Sequence, residues 1–310
     1  MIPAPDPTKP VWVITGPTAS GKTSIGIELC RRIDGEIINA DAMQIYRGMD
    51  IGTAKPDREE RAGVAHHLID IRNPSDSFSV ADYVGEAVNC IREIQARGHT
   101  AVICGGTGLY IQSLMEGLVF HPYARDDEVR QRLEKLADAD GLESLVEQLR
   151  KLDPKTADRL DVHDRRRIIR ALEVNEITGQ TTTQLQAASR KEGTPYVFSA
   201  FCLNLDRPVL YARIEARVDR MIREGLVEEA SGIMASCPGD TARQAIGYKE
   251  FLPYFENKSS LQEVTDRIKQ STRNYAKRQL TWFRRMDTLI WLDNSNPGQT
   301  LDSILLKGRT

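Results

Sequence analysis

The sequence predicts an α/β fold, a parallel sheet with helices on both faces, interrupted by an inserted all-helical subdomain. Three observations carry that expectation. Short apolar runs alternate with amphipathic helical stretches from residue 11 to about residue 110. The alternation stops over residues 126–194, where charged helical patterns follow one another, and an apolar run returns at 196–205. Strands separated by helices need crossover connections, which are right-handed and leave a parallel sheet covered on both sides.

VWVIT at 11–15 is a short apolar run that stops at Gly16, and an amphipathic stretch over 23–33 follows it. That order is strand, glycine turn, helix. EIINA at 36–40 is a second strand ending at Asp41, HLIDI at 67–71 a third, and TAVICGG at 100–106 a fourth, after a helix over 78–97. EVRQRLEKLADADGLESLVEQLRKL, at 128–152, carries no strand pattern, so residues 126–194 are assigned to the helical insertion and residues 1–125 with 195–310 to the core. Beyond the strand at 196–205, helices are predicted over 208–236, 243–256 and 260–286, and LIWL at 289–292 is a last short strand. The sheet is thus completed from both ends of the chain, and about ten residues at each terminus read as loose ends.

Lys and Arg number 42 against 44 Asp and Glu, a net charge of −2, so any nucleic-acid site must come from local clustering and not from bulk charge. The first ten residues, MIPAPDPTKP, lack the basic start and apolar run of a signal peptide, and no stretch of 18 apolar residues exists. A cytoplasmic protein without membrane contact is expected, with a monomer as the default. The five cysteines have no CxxC spacing and read as reduced core residues. His66 and His67 are adjacent, and neighbours on a strand point to opposite faces, which argues against a shared metal.

Gly16-Pro17-Thr18-Ala19-Ser20-Gly21-Lys22-Thr23 matches the phosphate-loop pattern of Gly, four residues and Gly-Lys-Ser/Thr, and it lies between a strand and a helix. A P-loop NTPase-like core follows. Successive amide N–H groups and the positive helix end face an anion, Lys22 adds a charge, and the Thr23 hydroxyl can hold Mg²⁺. The loop does not say which phosphate compound it binds. An ATP-binding kinase or ATPase, with Asp41 or Asp70 as the acid for Mg²⁺, and an RNA-binding module with a nucleotide switch both remain open at this point.

Past the loop, distinctive blocks continue: after GPTASGKT at 16–23 come DAMQIYRGMDIGTAKP at 41–56, HHLIDI at 66–71, GGTGLY at 105–110, RRIIRALEV at 166–174, RIEARVDRMIREGLVEE at 213–229, QAIGYKE at 244–250 and TRNYAKRQLTWFR at 272–284. In these blocks the chain resembles the tRNA dimethylallyltransferases. These blocks run through nearly the whole chain. One departure is Ala42, where many members have Ser; another is the lack of the zinc-finger extension of the eukaryotic members, so the bacterial form is expected. The resemblance implies transfer of the dimethylallyl group from dimethylallyl diphosphate to N6 of the adenosine just 3′ of the anticodon, tRNA position 37, giving N6-isopentenyladenosine and diphosphate.

In that reaction negative charge builds on the leaving diphosphate, which the loop from Gly16 to Thr23 would receive, aided by Lys22, a Thr23-bound Mg²⁺ and Arg217, with Arg213 one turn earlier. One such preorganised donor is typically worth about 3 to 4 kcal/mol. Asp41, directly after a strand at the carboxyl edge of the sheet, is assigned as general base, with a Mg²⁺ ligand or a helix cap as its plainer reading. Thr107 is expected at the same edge, its hydroxyl bonded to Asp41 or to the substrate amine.

On the RNA side, Arg165, Arg166, Arg167 and Arg170 cluster within six residues, and Arg273, Lys277, Arg278, Arg284 and Arg285 share a later helix. Arg273, Lys277 and Arg284 fall on one face of it, Ile268, Tyr275, Gln279 and Trp282 on another, as when one side packs and the other meets phosphate. The resemblance extends tRNA contact to Asp41, Ala42, Met43, Gln44 and Thr107, and to Arg166, Arg167, Ile168, Ile169 and Arg170. Gln44 suits the reading of a base edge by paired hydrogen bonds. The target base must leave its stack to reach Asp41, and the insert is expected to clamp the anticodon stem-loop against the core.

Overall fold

The computed structural model describes residues 9–118 and 126–308, with the side chains of 189–192 excepted. Six strands, β1 (Val11–Thr15), β2 (Gly35–Asn39), β3 (His66–His67), β4 (Thr100–Cys104), β5 (Phe198–Asn204) and β6 (Ile290–Asp293), form one sheet in the order β3-β2-β4-β1-β5-β6. Every pairing is parallel. The chain divides into two compact units, Met1–Met115 with Pro195–Thr310, and Glu116–Thr194.

The larger unit holds the sheet, with α1 (Lys22–Ile33), α2 (Val80–Ala96) and α3 (Gly108–Met115) before the insertion. The smaller unit holds α4 (Asp127–Ala139), α5 (Leu142–Leu152), α6 (Pro154–Arg159), α7 (Arg165–Thr178) and α8 (Thr182–Glu192). The larger unit resumes with α9 (Arg207–Arg223), α10 (Leu226–Ala235), α11 (Asp240–Arg243), α12 (Leu252–Phe255), α13 (Leu261–Phe283) and α14 (Pro297–Lys307).

Strand side chains alternate between two cores, as the pleat requires. Val11, Val13, Ile38, Ala101, Ile103, Ala200 and Cys202 face a core shared with α2, α3, α9, α10 and α13. Trp12, Ile14, Ile37, Val102, Phe201 and Leu203 face the opposite core, closed by α1 and α14. Neither face is left to water, which is why the central strands read as continuous apolar runs.

Several boundaries differ from expectation, each for a local reason. The third strand pairs only at His66–His67, because Leu68 and Asp70 adopt positive φ (60° and 56°) and turn the chain out of the sheet. Asp70 bonds Lys55 instead, at 2.5 Å, which removes it as a free acid for a metal. The helix expected over 208–236 is broken by Gly225 at φ 103° into α9 and α10. That expected over 243–256 is only a 3-10 turn, Lys249–Phe251, with short pieces on either side. The C-terminal end is no loose tail: α14 buries Leu301 and Ile304 against the sheet. Residues 1–8 and 309–310, also expected to be loose, lie outside the described residues, as do residues 119–125 near the first domain boundary, which falls at 116 where the sequence suggested 126.

The helical unit has its own core of Leu133, Leu145, Leu149, Ile168, Ile169 and Leu172. Asp153, 4% exposed, ties α6 to α8 by accepting the Thr156 amide (3.2 Å) and the Thr183 amide and hydroxyl (3.0 and 2.5 Å).

Candidate active site

The strand order sets the site. β2, β4 and β1 are neighbours, so the segments leaving their carboxyl ends lie side by side: Asp41 after β2, Gly105–Thr107 after β4, and the phosphate loop after β1. Carboxyl ends of parallel strands are where α/β proteins bind ligands. The segments are stitched by backbone bonds, Ala40 N–H to Cys104 O (2.8 Å) and Thr107 N–H to Ala40 O (3.0 Å). Gly105 is held to glycine by this approach, since a Cβ there would stand 2.2 Å from the Ala40 carbonyl carbon.

The loop turns into α1 with Gly21 at its N-cap in the left-handed region (φ 87°). Lys22 is half-buried, its amine donating to the Pro17 carbonyl at 3.3 Å. Burial pulls its pKa below the ordinary lysine value; the Asp41 charge opposes that and the Arg217 charge adds to it. Arg217, half-buried on α9, sets Nη1 3.5 Å from Thr18 Oγ1, and its pKa too is lowered by burial, with Arg220 contributing. No carboxylate pairs with Lys22 or Arg217 among the described residues. Arg213 is exposed, its guanidinium 3.9 Å from where a Cβ on Gly21 would lie. Two partly buried cations without a carboxylate in ion-pair contact among the described residues, beside a loop of amides, have the chemistry to hold an anion.

Asp41 Oδ1 accepts the Met43 amide at 2.9 Å, and its own N–H donates to Asn39 Oδ1 at 3.1 Å. Its second carboxylate oxygen accepts no hydrogen bond from the described residues. The Thr107 hydroxyl, expected on Asp41 or on the substrate amine, accepts the Ala42 amide at 3.0 Å and makes no bond to Asp41 among the described residues. The Thr18 amide is likewise committed, donating to Gln279 Oε1 at 2.8 Å. Gln44 also differs, because its NH₂ group donates to the Thr53 and Ala54 carbonyls (3.1 and 3.3 Å), leaving only Oε1 for a base. Ala42 and Met43 are half-buried against the larger core.

The basic clusters divide on inspection. In the helical unit Ile168 and Ile169 are 1% and 2% exposed, so they are core residues and not RNA contacts, a correction that follows from their place on the packed face of α7. Arg165 pairs with Asp138, Arg167 with Asp164 and Arg170 with the buried Glu173, whereas exposed Arg166 has no acidic partner among the described residues. On α13, Arg273 pairs with Glu215 at 2.6 Å and bonds Gln270, bracing α13 against α9, while Lys277, Arg284 and Arg285 stay exposed.

Three supporting residues escaped the sequence reading. Gln279, 5% exposed on α13, bridges the Thr18 amide to the Gly106 carbonyl (2.8 Å each). Buried Asn294 donates to the Ser20 carbonyl at 2.7 Å. Glu229 accepts the Asp50, Ile51 and Gly52 amides (3.0, 2.8 and 2.9 Å) and the Tyr248 hydroxyl (2.7 Å), pinning the segment after Asp41. A polar Gln279 on an otherwise packing face was the signal available for the first. The cysteines are free; Cys30, Cys90, Cys104 and Cys202 are buried, and burial pushes the Cys104 thiol up to about 11, but Cys237 is exposed and not in the core.

Sheet topology and loop together define a phosphate-loop-like α/β protein, with the Asp41 carboxylate at a strand end of the same sheet edge as the loop. A family model described as IPP transferase matches residues 44–286. A curated tRNA dimethylallyltransferase of Geobacter metallireducens is 48% identical over 295 residues, covering 94% of each chain, and one of Heliobacterium modesticaldum is 46% identical, covering 90% of this chain and 88% of its own. The crystal structure of the tRNA isopentenylpyrophosphate transferase of Bacillus halodurans aligns with a TM-score of 0.72 at 40% identity, over 97% of this chain and 96% of its own. A eukaryotic dimethylallyltransferase acting on tRNA aligns with a TM-score of 0.79 at 29% identity, over 94% and 75%. The chain belongs to the IPP transferase family.

Proposed function

We propose that this chain is a tRNA dimethylallyltransferase, moving the dimethylallyl group of dimethylallyl diphosphate to N6 of the adenosine just 3′ of the anticodon. The observation that carries the reading is the pair of partly buried cations, Lys22 and Arg217, at the loop end of β1, neither in an ion pair among the described residues, with a carboxylate oxygen of Asp41 not engaged by a described residue at the end of β2, one strand beyond β4. A diphosphate supplies the missing counter-charge, and an amine between the two strand ends has a proton acceptor. Family membership supports the same reaction.

In the transfer, N6 forms a bond to the allylic carbon as the carbon–oxygen bond to the diphosphate breaks. The departing oxygens gain charge where Lys22, Arg217 and the amides of the loop stabilise it. Asp41 takes the N6 proton on its free oxygen, a role usually worth about two to four decades in rate. Thr107 acts through Ala42, holding the Asp41 turn in place. The donor set fits Mg²⁺: the Thr23 hydroxyl and the buried, unpartnered Ser20 hydroxyl are hard oxygen ligands beside the anion site, and Mg²⁺ commonly takes few protein ligands when phosphates supply the rest. When bound there through Thr23, Mg²⁺ neutralises charge on the leaving diphosphate.

Exposed Arg166 on the helical unit and Lys277 on α13 contact tRNA phosphates. The protein acts as a cytoplasmic monomer; no described helix is long and apolar enough to cross a membrane. The test is incubation of purified protein with Mg²⁺, unmodified tRNA and either dimethylallyl diphosphate or ATP, followed by mass spectrometry of the digested nucleosides. Adenosine heavier by one isopentenyl unit, only with the allylic donor, supports the transferase; ATP turnover without prenylation refutes it in favour of a kinase.

A further inference from the structure

Both ends of the Gln279 amide are used. Oε1 accepts the Thr18 amide of the phosphate loop, and Nε2 donates to the Gly106 carbonyl in the turn that carries Thr107, each at 2.8 Å. One helical turn earlier, half-buried Tyr275 brings its hydroxyl beside the Thr107 and Gln279 side chains. Thr107 in turn accepts the Ala42 amide, next to Asp41. A polar chain therefore runs from Thr18 through Gln279 to Gly106, whose neighbour Thr107 holds Ala42, with the Tyr275 hydroxyl beside it. It joins the loop proposed for the donor to the turn proposed for the acceptor.

The fit along this chain is tight. A Cβ on Gly106 would stand 2.4 Å from Gln279 Nε2, and one on Gly108 would stand 2.5 Å from the Trp282 ring, so α13 lies directly on the turn. Thr18 is also the residue whose hydroxyl meets Arg217. A diphosphate that draws on the Thr18 amide must compete with Gln279 for it. Any movement of Gln279 is then felt at Gly106 and Tyr275, and through them at Thr107 and Ala42.

We propose that Gln279 and Tyr275 are positioning residues that couple occupancy of the donor loop to the geometry of the acceptor turn, an inference that rests on the transferase reading above. Coupling between two sites is reciprocal, so a diphosphate bound at the loop tightens RNA as much as RNA tightens the diphosphate. A buried network fully satisfied in one arrangement is suited to this, because shifting one member leaves its neighbour unpaired.

The test uses the full chain, inorganic diphosphate with Mg²⁺ as donor probe, and a fluorescent anticodon stem-loop as acceptor probe. RNA affinity is measured with and without diphosphate in the unaltered protein, in Tyr275→Phe, in Gln279→Met and in the double variant. The expected ratio in the unaltered protein is about 5- to 150-fold. It falls towards one in either single variant, and the double variant falls no further, because both residues belong to one chain. Meanwhile each affinity measured alone stays within about threefold, and kcat falls more than KM. A ratio of one in the unaltered protein, or a ratio unchanged in both variants, overturns the proposal. So does a uniform loss of both affinities and of melting temperature with the ratio intact, which marks a purely structural role. Prenylation of tRNA by the unaltered protein is read in parallel. Its absence with the ratio present and sensitive to the variants sinks the transferase reading and leaves the coupling, whereas prenylation with a ratio of one sinks the coupling alone.

Discussion

Replacing Lys22 with methionine should make the ligand-free protein more stable and at the same time abolish its response to diphosphate. The Lys22 amine has one carbonyl at 3.3 Å and no carboxylate in ion-pair contact among the described residues; the Asp41 charge acts on it from beyond that distance and the Arg217 charge partly offsets it. A buried polar group left unsatisfied costs about 1–3 kcal/mol, more when charged, and methionine keeps the stem while removing the charge. Each kcal/mol raises the melting temperature by about 2–4 °C in a domain of this size. Burial lowers the folded-state pKa of Lys22, so the unfolded chain binds that proton more tightly; the stability of the unaltered protein therefore rises with pH between the lowered value and the ordinary lysine value, and this slope vanishes in the variant. On the ligand side, a hydrogen bond to a charged group contributes about 1.5–3 kcal/mol, a 10- to 150-fold loss of diphosphate affinity. At a concentration 100 times the unaltered Kd, diphosphate stabilises the unaltered protein by about 2.7 kcal/mol, but a variant weakened 100-fold by only about 0.4 kcal/mol. Differential scanning fluorimetry with and without Mg²⁺ and diphosphate reads both effects. A lower ligand-free melting temperature, or an unchanged shift with diphosphate, refutes the reading of Lys22 as an uncompensated cation awaiting an anion.

Asp41→Asn preserves the acceptor for the Met43 amide and removes the proton acceptor, so single-turnover prenylation should slow by about two to four decades while tRNA affinity is kept; weak binding with an intact rate would contradict the general-base assignment. Arg166→Ala should lower the salt slope of tRNA binding by about 1, Arg273→Ala should not, and filter binding across a salt series separates them. Ile168→Ala, a core truncation, should instead destabilise the helical unit by about 2–5 kcal/mol, measured by denaturant melts, with the salt slope intact. Burial pushes the Glu36 carboxyl up, but bonds from Arg97 and His67 outweigh that and hold it below the usual glutamate range. Its contribution is therefore present above about pH 4.3 and lost as pH falls through the lowered folded value, so Glu36→Gln should flatten the acid limb of a stability profile between those limits; an unchanged limb would place the acid sensitivity elsewhere.

The sequence by itself determined the features that are local in the chain. The period-2 and period-3.6 patterns, the glycines of the phosphate loop and the charged helical stretch were enough for the parallel sheet, its completion by β5 and β6, and the helical insertion. They also put Asp41, the loop and the turn before Thr107 at the ends of strands. What failed was decided by contacts between distant residues. The strand expected at 67–71 stops early because Asp70 turns to Lys55, and the arginine rows looked uniform although Arg165, Arg170 and Arg273 are spent on ion pairs. The hydroxyl of Thr107 was expected on Asp41 or on the substrate amine and accepts the Ala42 amide, and the Thr18 amide is taken by a glutamine 261 residues away. Periodicity records which face of an element is apolar, but not which polar group on a neighbouring element meets it; that choice is made when helix α13 packs across the strand ends, and only the tertiary structure contains it.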